Sequence, residues 1–213
     1  FNEKIDLLMQ INQKEIVNWE GHMRSSIHNL GVYPRTERGS IPITIATGGT
    51  PESSLKAGAL GLPITYAIIG GDPKRFRRNI DMYKSIAESY GHNVNELSIG
   101  THSWGYIAET DEQAKREFFP SVKASHDILA KERGWPMYDE NSFEREAGPK
   151  GALYVGSPET VAQKIIETIE ALGITRFMLH TPVGSMPHEN TINTIKLLAE
   201  RVKPIVDKYF ENK

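Results

Sequence analysis

Apolar positions at helical spacing open the chain. Ile5, Leu8, Met9 and Ile11 fall on one stripe and predict an amphipathic helix over residues 2–11. No period holds from about residue 12 to 40. That polar segment carries Trp19, Gly21, Tyr33 and Pro34, and is expected to be a long irregular loop covering one end of the fold or serving a function. Four short, almost uninterrupted apolar runs follow, at residues 42–46, 63–69, 97–107 and 176–180, each expected to be a strand. Helical patterns alternate with them. One spans 52–59, and a second starts near Asp72-Pro73 and runs through Phe76, Ile80, Tyr83, Ile86 and Ala87 to Gly91. A third covers 111–133, where Pro120 calls for a kink. The fourth runs from Val161 to Leu172 and stops at Gly173, and the last, 189–209, is expected to bend at Pro204. Residues 134–152, rich in Gly, Pro and charge, form an excursion between elements.

Near-continuous apolar strands, the third interrupted or bent at Gly100 and Gly105, alternate with helices and predict an α/β fold with a parallel sheet and outer helices. A (β/α)8 barrel needs eight strands and typically ~250 residues. With four strands, the 213-residue chain reads as one domain, the C-terminal half of a TIM-type barrel. The chain starts at Phe1 in a helical pattern, which points to processing or to a piece of something longer.

Composition narrows the function classes. The net charge is −2 and the one basic cluster, Lys74-Arg-Phe-Arg-Arg78, reads as a solvated helix face, so neither nucleic acid nor membrane is expected as a partner. There is no cysteine, hence no disulfide and no thiolate nucleophile or metal ligand. No apolar run reaches the ~18 residues of a membrane span, no signal-peptide pattern opens the chain, and a cytoplasmic location is expected. Ser185 lacks a Gly-x-Ser-x-Gly elbow and no Gly-x-Gly-x-x-Gly run occurs, so a serine hydrolase and a Rossmann site lack support. His188-Glu189 has no third ligand at a helical spacing, and no metal site is expected.

The stretch with the most chemistry is Ile41-Pro-Ile-Thr-Ile-Ala-Thr-Gly-Gly-Thr-Pro-Glu-Ser-Ser54. A β-branched run meets Gly48-Gly49, then Thr50 as N-cap, Pro51 at the first helical position and Glu52 in the first turn. Glycines that let backbone N–H groups approach, followed by a helix N-terminus, suit an anion such as phosphate; the same pattern also serves as a plain βα turn. A second glycine pair, Gly70-Gly71, ends the next strand. His102 and Trp104 lie on or after the third strand, at its C-terminal end if that strand stops early, and His180 ends the fourth, where barrels carry working residues; barrel-wall contacts are the alternative.

Taken in order, these segments resemble the luciferase-like monooxygenase family, the flavin-dependent enzymes related to bacterial luciferase. The carriers are 42–53, Gly61-Leu-Pro-Ile-Thr-Tyr-Ala-Ile-Ile-Gly-Gly71, Gly151-Ala-Leu-Tyr-Val-Gly-Ser-Pro-Glu159, Arg176-Phe-Met-Leu-His180 and Pro187-His-Glu189, with Trp19-Glu-Gly21 near the start. The resemblance covers the C-terminal part of the family's barrel, strands one to four being absent. It implies FMN, or in some relatives the deazaflavin F420, held at the strand ends. Carried over, Thr47, Gly48, Gly49, Thr50, Glu52 and Ser53 become cofactor contacts. Ser53 would bind a phosphate oxygen, Glu52 would act through its backbone or the ribityl chain, and Ile69 and Gly70 would lie near the ring edge. His102, Trp104 and His180 would face the substrate. The expected activity is oxygenation of a small organic substrate with reduced FMN and O2, a flavin reductase supplying the cofactor and the chain working as a homo-oligomer. F420-dependent hydride transfer, and a non-catalytic barrel fragment that assembles with another chain, are the alternatives. No catalytic residue is assigned, because in this family the cofactor carries the chemistry.

Overall fold

The computed structural model describes residues 1–213. It divides into two compact units, Phe1–Ile43 and Thr44–Lys213.

In the first unit, helix α1 (Asn2–Gln13) is followed by an antiparallel pair, β1 (Ile16–Trp19) and β2 (Ile27–Gly31). The expected irregular loop therefore holds a hairpin. Polar side chains hid it: only Val17 and Ile27 of the two strands are buried, where they meet Leu7.

The second unit is the βα portion. Strand β3 (Ile45–Thr47) leads to α2 (Pro51–Ala59), and β4 (Ile64–Ala67) leads through a 3-10 turn at Pro73–Phe76 to α3 (Arg77–Ser89). Asp72 caps that turn, its carboxylate accepting from the Lys74 amide at 2.9 Å. Then come β5 (Ile99–Ile107), α4 (Asp111–Arg133), α5 (Glu140–Ala147), β6 (Tyr154–Gly156), α6 (Pro158–Leu172), β7 (Arg176–His180), α7 (His188–Leu197) and α8 (Lys203–Glu211). The four predicted strands are present and parallel, in the order β3-β4-β5 with β7 on β5. The predicted excursion contains helix α5, and β6 just beyond it is an unpredicted fifth strand. It is three residues long, in a glycine-rich stretch too short to show a period.

Strand β5 changes partners along its length. Residues 99–102 pair with β4, 100–104 with β7 and 105–107 with β6. Gly105 sits at the change, where a Cβ would lie 2.4 Å from both the Tyr154 carbonyl oxygen and a Leu179 methyl; only glycine lets both pass.

Helices cover one face of the sheet: Ile107, Tyr154, Phe177 and Leu179 pack with Val161, Ile165 and Leu197 of α6 and α7. A second cluster joins Tyr106 to Phe118, Val122, Tyr138 and Phe143 around α4 and α5. Pro120 lies exposed inside α4, which stays helical through it, and Pro204 falls in the first turn of α8 after a π-helical turn at Leu198–Val202. No helix is long and apolar enough to cross a membrane.

Candidate functional site

The other face of the sheet is only half-buried. Strand alternation puts Thr65 and Ala67 of β4, and His102 and Trp104 of β5, on that side, while their neighbours Tyr66, Thr101 and Ser103 are buried under the helices. The register carries the pattern to β7, where Met178 pairs with His102 and His180 with Trp104. The three residues predicted to face substrate thus lie together, but only His180 ends its strand: β5 runs on to Ile107 to pair with β6, which leaves His102 and Trp104 in its middle.

The histidines are in contact. His102 Nε2 lies 3.3 Å from His180 Nδ1, and His180 Nε2 lies 3.0 Å from the Pro182 carbonyl oxygen. A carbonyl only accepts, so His180 carries its hydrogen on Nε2; its Nδ1 lone pair then accepts from the Nε2–H of His102. Burial first, and the neighbouring His180 second, hold His102 below the usual imidazole pKa. The two rings are therefore joined by a hydrogen bond, and the neutral form of His102 is favoured.

The glycine turn after β3 is locked from three directions. Thr47 Oγ1 accepts from the Gly49 amide at 3.1 Å, and Asn79 Nδ2 of α3 donates to the Gly49 carbonyl at 2.5 Å. Phe76 fills the space beside Gly49, where φ is +100° and a Cβ would lie 2.6 Å from the ring. Glycine is obligatory there. At exposed Gly48 it is not: φ is ordinary and a Cβ would meet nothing within 4 Å. The protein thus leaves open space over Gly48 that its own packing does not need.

Thr50 starts α2, but its hydroxyl caps no amide; it pairs with Ser53 Oγ at 2.8 Å. Ser53 and Ser54 amides turn back to the Thr50 carbonyl at 3.2 and 3.4 Å. Pro51 brings no donor, which leaves the Glu52 amide and two adjacent hydroxyls at the helix start, with the Glu52 side chain exposed. Two hydroxyls, a helix N-terminus and an open glycine backbone fit a phosphate group.

Ile69 and Gly70 are exposed beyond the end of β4. Above Gly70 stands a residue the sequence reading did not single out: Glu146 of α5 has Oε1 3.8 Å from where a Gly70 Cβ would be. Its Oε2 accepts from the Tyr138 hydroxyl at 2.9 Å. Tyr138 stacks on His126 (centroids 4.3 Å apart, planes 7°), and His126 meets Trp104 edge-on at 5.8 Å. The excursion therefore folds over the ends of β4 and β5. Phe76, Asn79, His126 and Glu146 were missed because each acts through a contact distant in sequence, with no periodicity to announce it.

The family profile of the luciferase-like monooxygenases matches residues 1–176. Among solved structures, monooxygenase RslO1 from Streptomyces bottropensis is similar at 25% identity with a TM-score of 0.80, over 96% of this chain and 60% of that one. The coenzyme F420 dependent tetrahydromethanopterin reductase from Methanopyrus kandleri shares the fold at 20% identity and TM-score 0.67, over 95% and 62%. The oxygenating constituent of 3,6-diketocamphane monooxygenase from Pseudomonas putida, in complex with FMN, does so at 18% and 0.64, over 96% and 62%. The chain spans about three fifths of the length of these relatives. The parallel βα portion is accordingly part of a TIM-type barrel, and the chain belongs to the luciferase-like monooxygenase family.

Proposed function

We propose that the protein is a flavin-dependent oxidoreductase that uses reduced FMN and O2 to oxygenate a small organic substrate, and that this chain supplies the phosphate end and part of the ring and substrate wall of its cofactor site. The observation that carries the reading is the β3–α2 turn: Thr50 and Ser53 hydroxyls 2.8 Å apart at a helix start, beside a Gly48 whose open side no packing explains. When bound, the flavin would supply the electron transfer and oxygen chemistry. The chain's own residues do the rest. Thr50, Ser53 and the first α2 amide hold the phosphate oxygens, and Thr47, Phe76 and Asn79 keep Gly49 in place so that the cradle is formed in advance. Ile69 and Gly70 border the ring, and His102, Trp104 and His180 line the substrate side, with His102 Nε2–H and His180 Nε2–H already committed to partners. A flavin reductase would deliver the reduced cofactor, and the protein would act as a homo-oligomer.

The test is a titration with FMN followed by flavin fluorescence quenching. We expect binding that weakens at least about 100-fold in Thr50→Ala/Ser53→Ala, from two lost hydrogen bonds to a charged group. Riboflavin, which lacks the phosphate, should bind that variant and the parent alike. Equal loss for both ligands would remove the phosphate from this turn.

F420-dependent hydride transfer is the second reading, favoured by the likeness to the F420 dependent reductase. Displacement of FMN by F420 at lower concentration would decide for it.

A further inference from the structure

Glu146 is a carboxylate with one oxygen in use. Oε2 is held by Tyr138, and Tyr138 is itself fixed: it is 7% exposed, its amide donates to Asp127 Oδ1 at 3.1 Å, and its carbonyl accepts from Lys123 Nζ at 2.8 Å. Lys123 and Asp127 are ion-paired at 2.7 Å, closing the frame. Oε1 receives no hydrogen bond and faces Gly70 at the C-terminal edge of β4. Gly70, like Gly48, has an ordinary φ and no steric need to be glycine, since the nearest atom to a Cβ there would be Glu146 Oε1 itself, at 3.8 Å. A half-buried carboxylate oxygen over an open backbone is a waiting acceptor. Buried Tyr138 backs His126, which meets half-buried Trp104 edge-on, so the aromatic surface on offer is that of His126 and Trp104, next to the His102–His180 pair.

We propose that Glu146, positioned by Tyr138, is the specificity-determining residue of the site: Oε1 accepts a hydrogen bond from a hydroxyl or N–H group of a planar aromatic substrate lying along the Trp104 side, and the fixed negative charge excludes aromatic carboxylates. The ring wall selects planar apolar surface. The carboxylate selects a donor, because a substrate without one leaves it buried and unpaired, and an anion meets like charge at short range. Tyr138 is a positioning residue, its phenol kept protonated as burial and the Glu146 carboxylate raise its pKa.

The inference rests on reading this sheet edge as the active site, and FMN quenching tests that reading separately. The probes are 2-naphthol and 2-naphthoate, titrated by calorimetry at pH 7 with and without FMN. The parent protein is expected to bind 2-naphthol at least about ten-fold more tightly than 2-naphthoate. Glu146→Gln keeps the shape and an acceptor oxygen but loses the charge and gains an amide donor, so it should retain 2-naphthol and accept 2-naphthoate, removing the preference. Tyr138→Phe should lower 2-naphthol affinity without changing its FMN affinity. The proposal is overturned if the parent binds neither probe, if it binds both equally, or if Glu146→Gln keeps the preference. Were FMN to bind normally in any of these cases, the flavin reading would stand and only the role of Glu146 would fall.

Discussion

A single proton decides what the histidine pair can do. With His180 Nε2–H spent on the Pro182 carbonyl, His180 Nδ1 has only a lone pair to offer, and His102 must be the donor between them. Burial and His180 both lower the His102 pKa from 6.5. Between that lowered value and 6.5 the unfolded chain binds the extra proton. This group's contribution to stability therefore falls as pH drops through that window and is complete above it. In an NMR titration of the imidazole carbons, His102 should titrate below 6.5. His180→Gln should move its midpoint upward without reaching 6.5, since burial remains; an unmoved midpoint would mean that His180 has no influence. At this scale the sequence was legible where chemistry is local. Thr50-Pro51-Glu52 signals a helix start within three residues, and strand alternation alone places His102 and Trp104 on one face. The Asn79 bond to Gly49, 30 residues away, leaves no local mark.

Elements are tied together by side chains that periodicity treats as surface. Lys164 of α6 is 8% exposed, and its ammonium donates to the Leu153, Gly148 and Ala147 carbonyls at 2.6, 2.7 and 3.3 Å. Three donors meet three acceptors, so α6 holds the connector between α5 and β6, while the ammonium also lies 5.2 Å from the Tyr154 ring centroid. Lys164→Met would leave buried carbonyls unpaired and should cost about 2–4 kcal/mol in denaturant unfolding at pH 7. Burial pushes the Lys164 pKa down to about 8, against 10.5 in a free side chain. Between those values the unfolded chain binds the proton, so the parent should gain stability relative to Lys164→Met as pH rises from 8 towards 10.5. A gap between the two that stays constant with pH would refute that coupling. The elements legible beforehand were those with long apolar runs, such as α6, whose start is fixed by the Ser157 hydroxyl accepting from the Thr160 amide. The hairpin and β6 were not, since one shows too few buried positions and the other too few residues.

For the whole molecule, alternation of apolar strands and capped helices was enough to read a parallel βα portion, because both faces of such strands need apolar cover. The polar, aperiodic stretch to about residue 40 and the apolar runs after it lie on either side of Ile43. The two units differ in how they can be stabilised. Thr44–Lys213 buries an extended core, including Ile64, Tyr66, Tyr83, Tyr106, Phe118, Val161 and Leu197. In Phe1–Ile43, one helix and a two-stranded hairpin share a cluster of Leu7, Val17 and Ile27. A lone hairpin is marginal in water, and a unit of about 40 residues buries too little surface to resist opening strongly. Local opening free energy follows buried apolar contact, so native-state hydrogen exchange should separate the units. Amides of the β1–β2 ladder, at Val17 and Leu30, should exchange through openings well below the global unfolding free energy, while those joining β4 to β5 should need nearly all of it. The difference should persist when denaturant is raised, until the slower set merges with global unfolding. Equal protection across both ladders would mean that the 43-residue unit unfolds only with the rest, and that its small cluster understates what holds it.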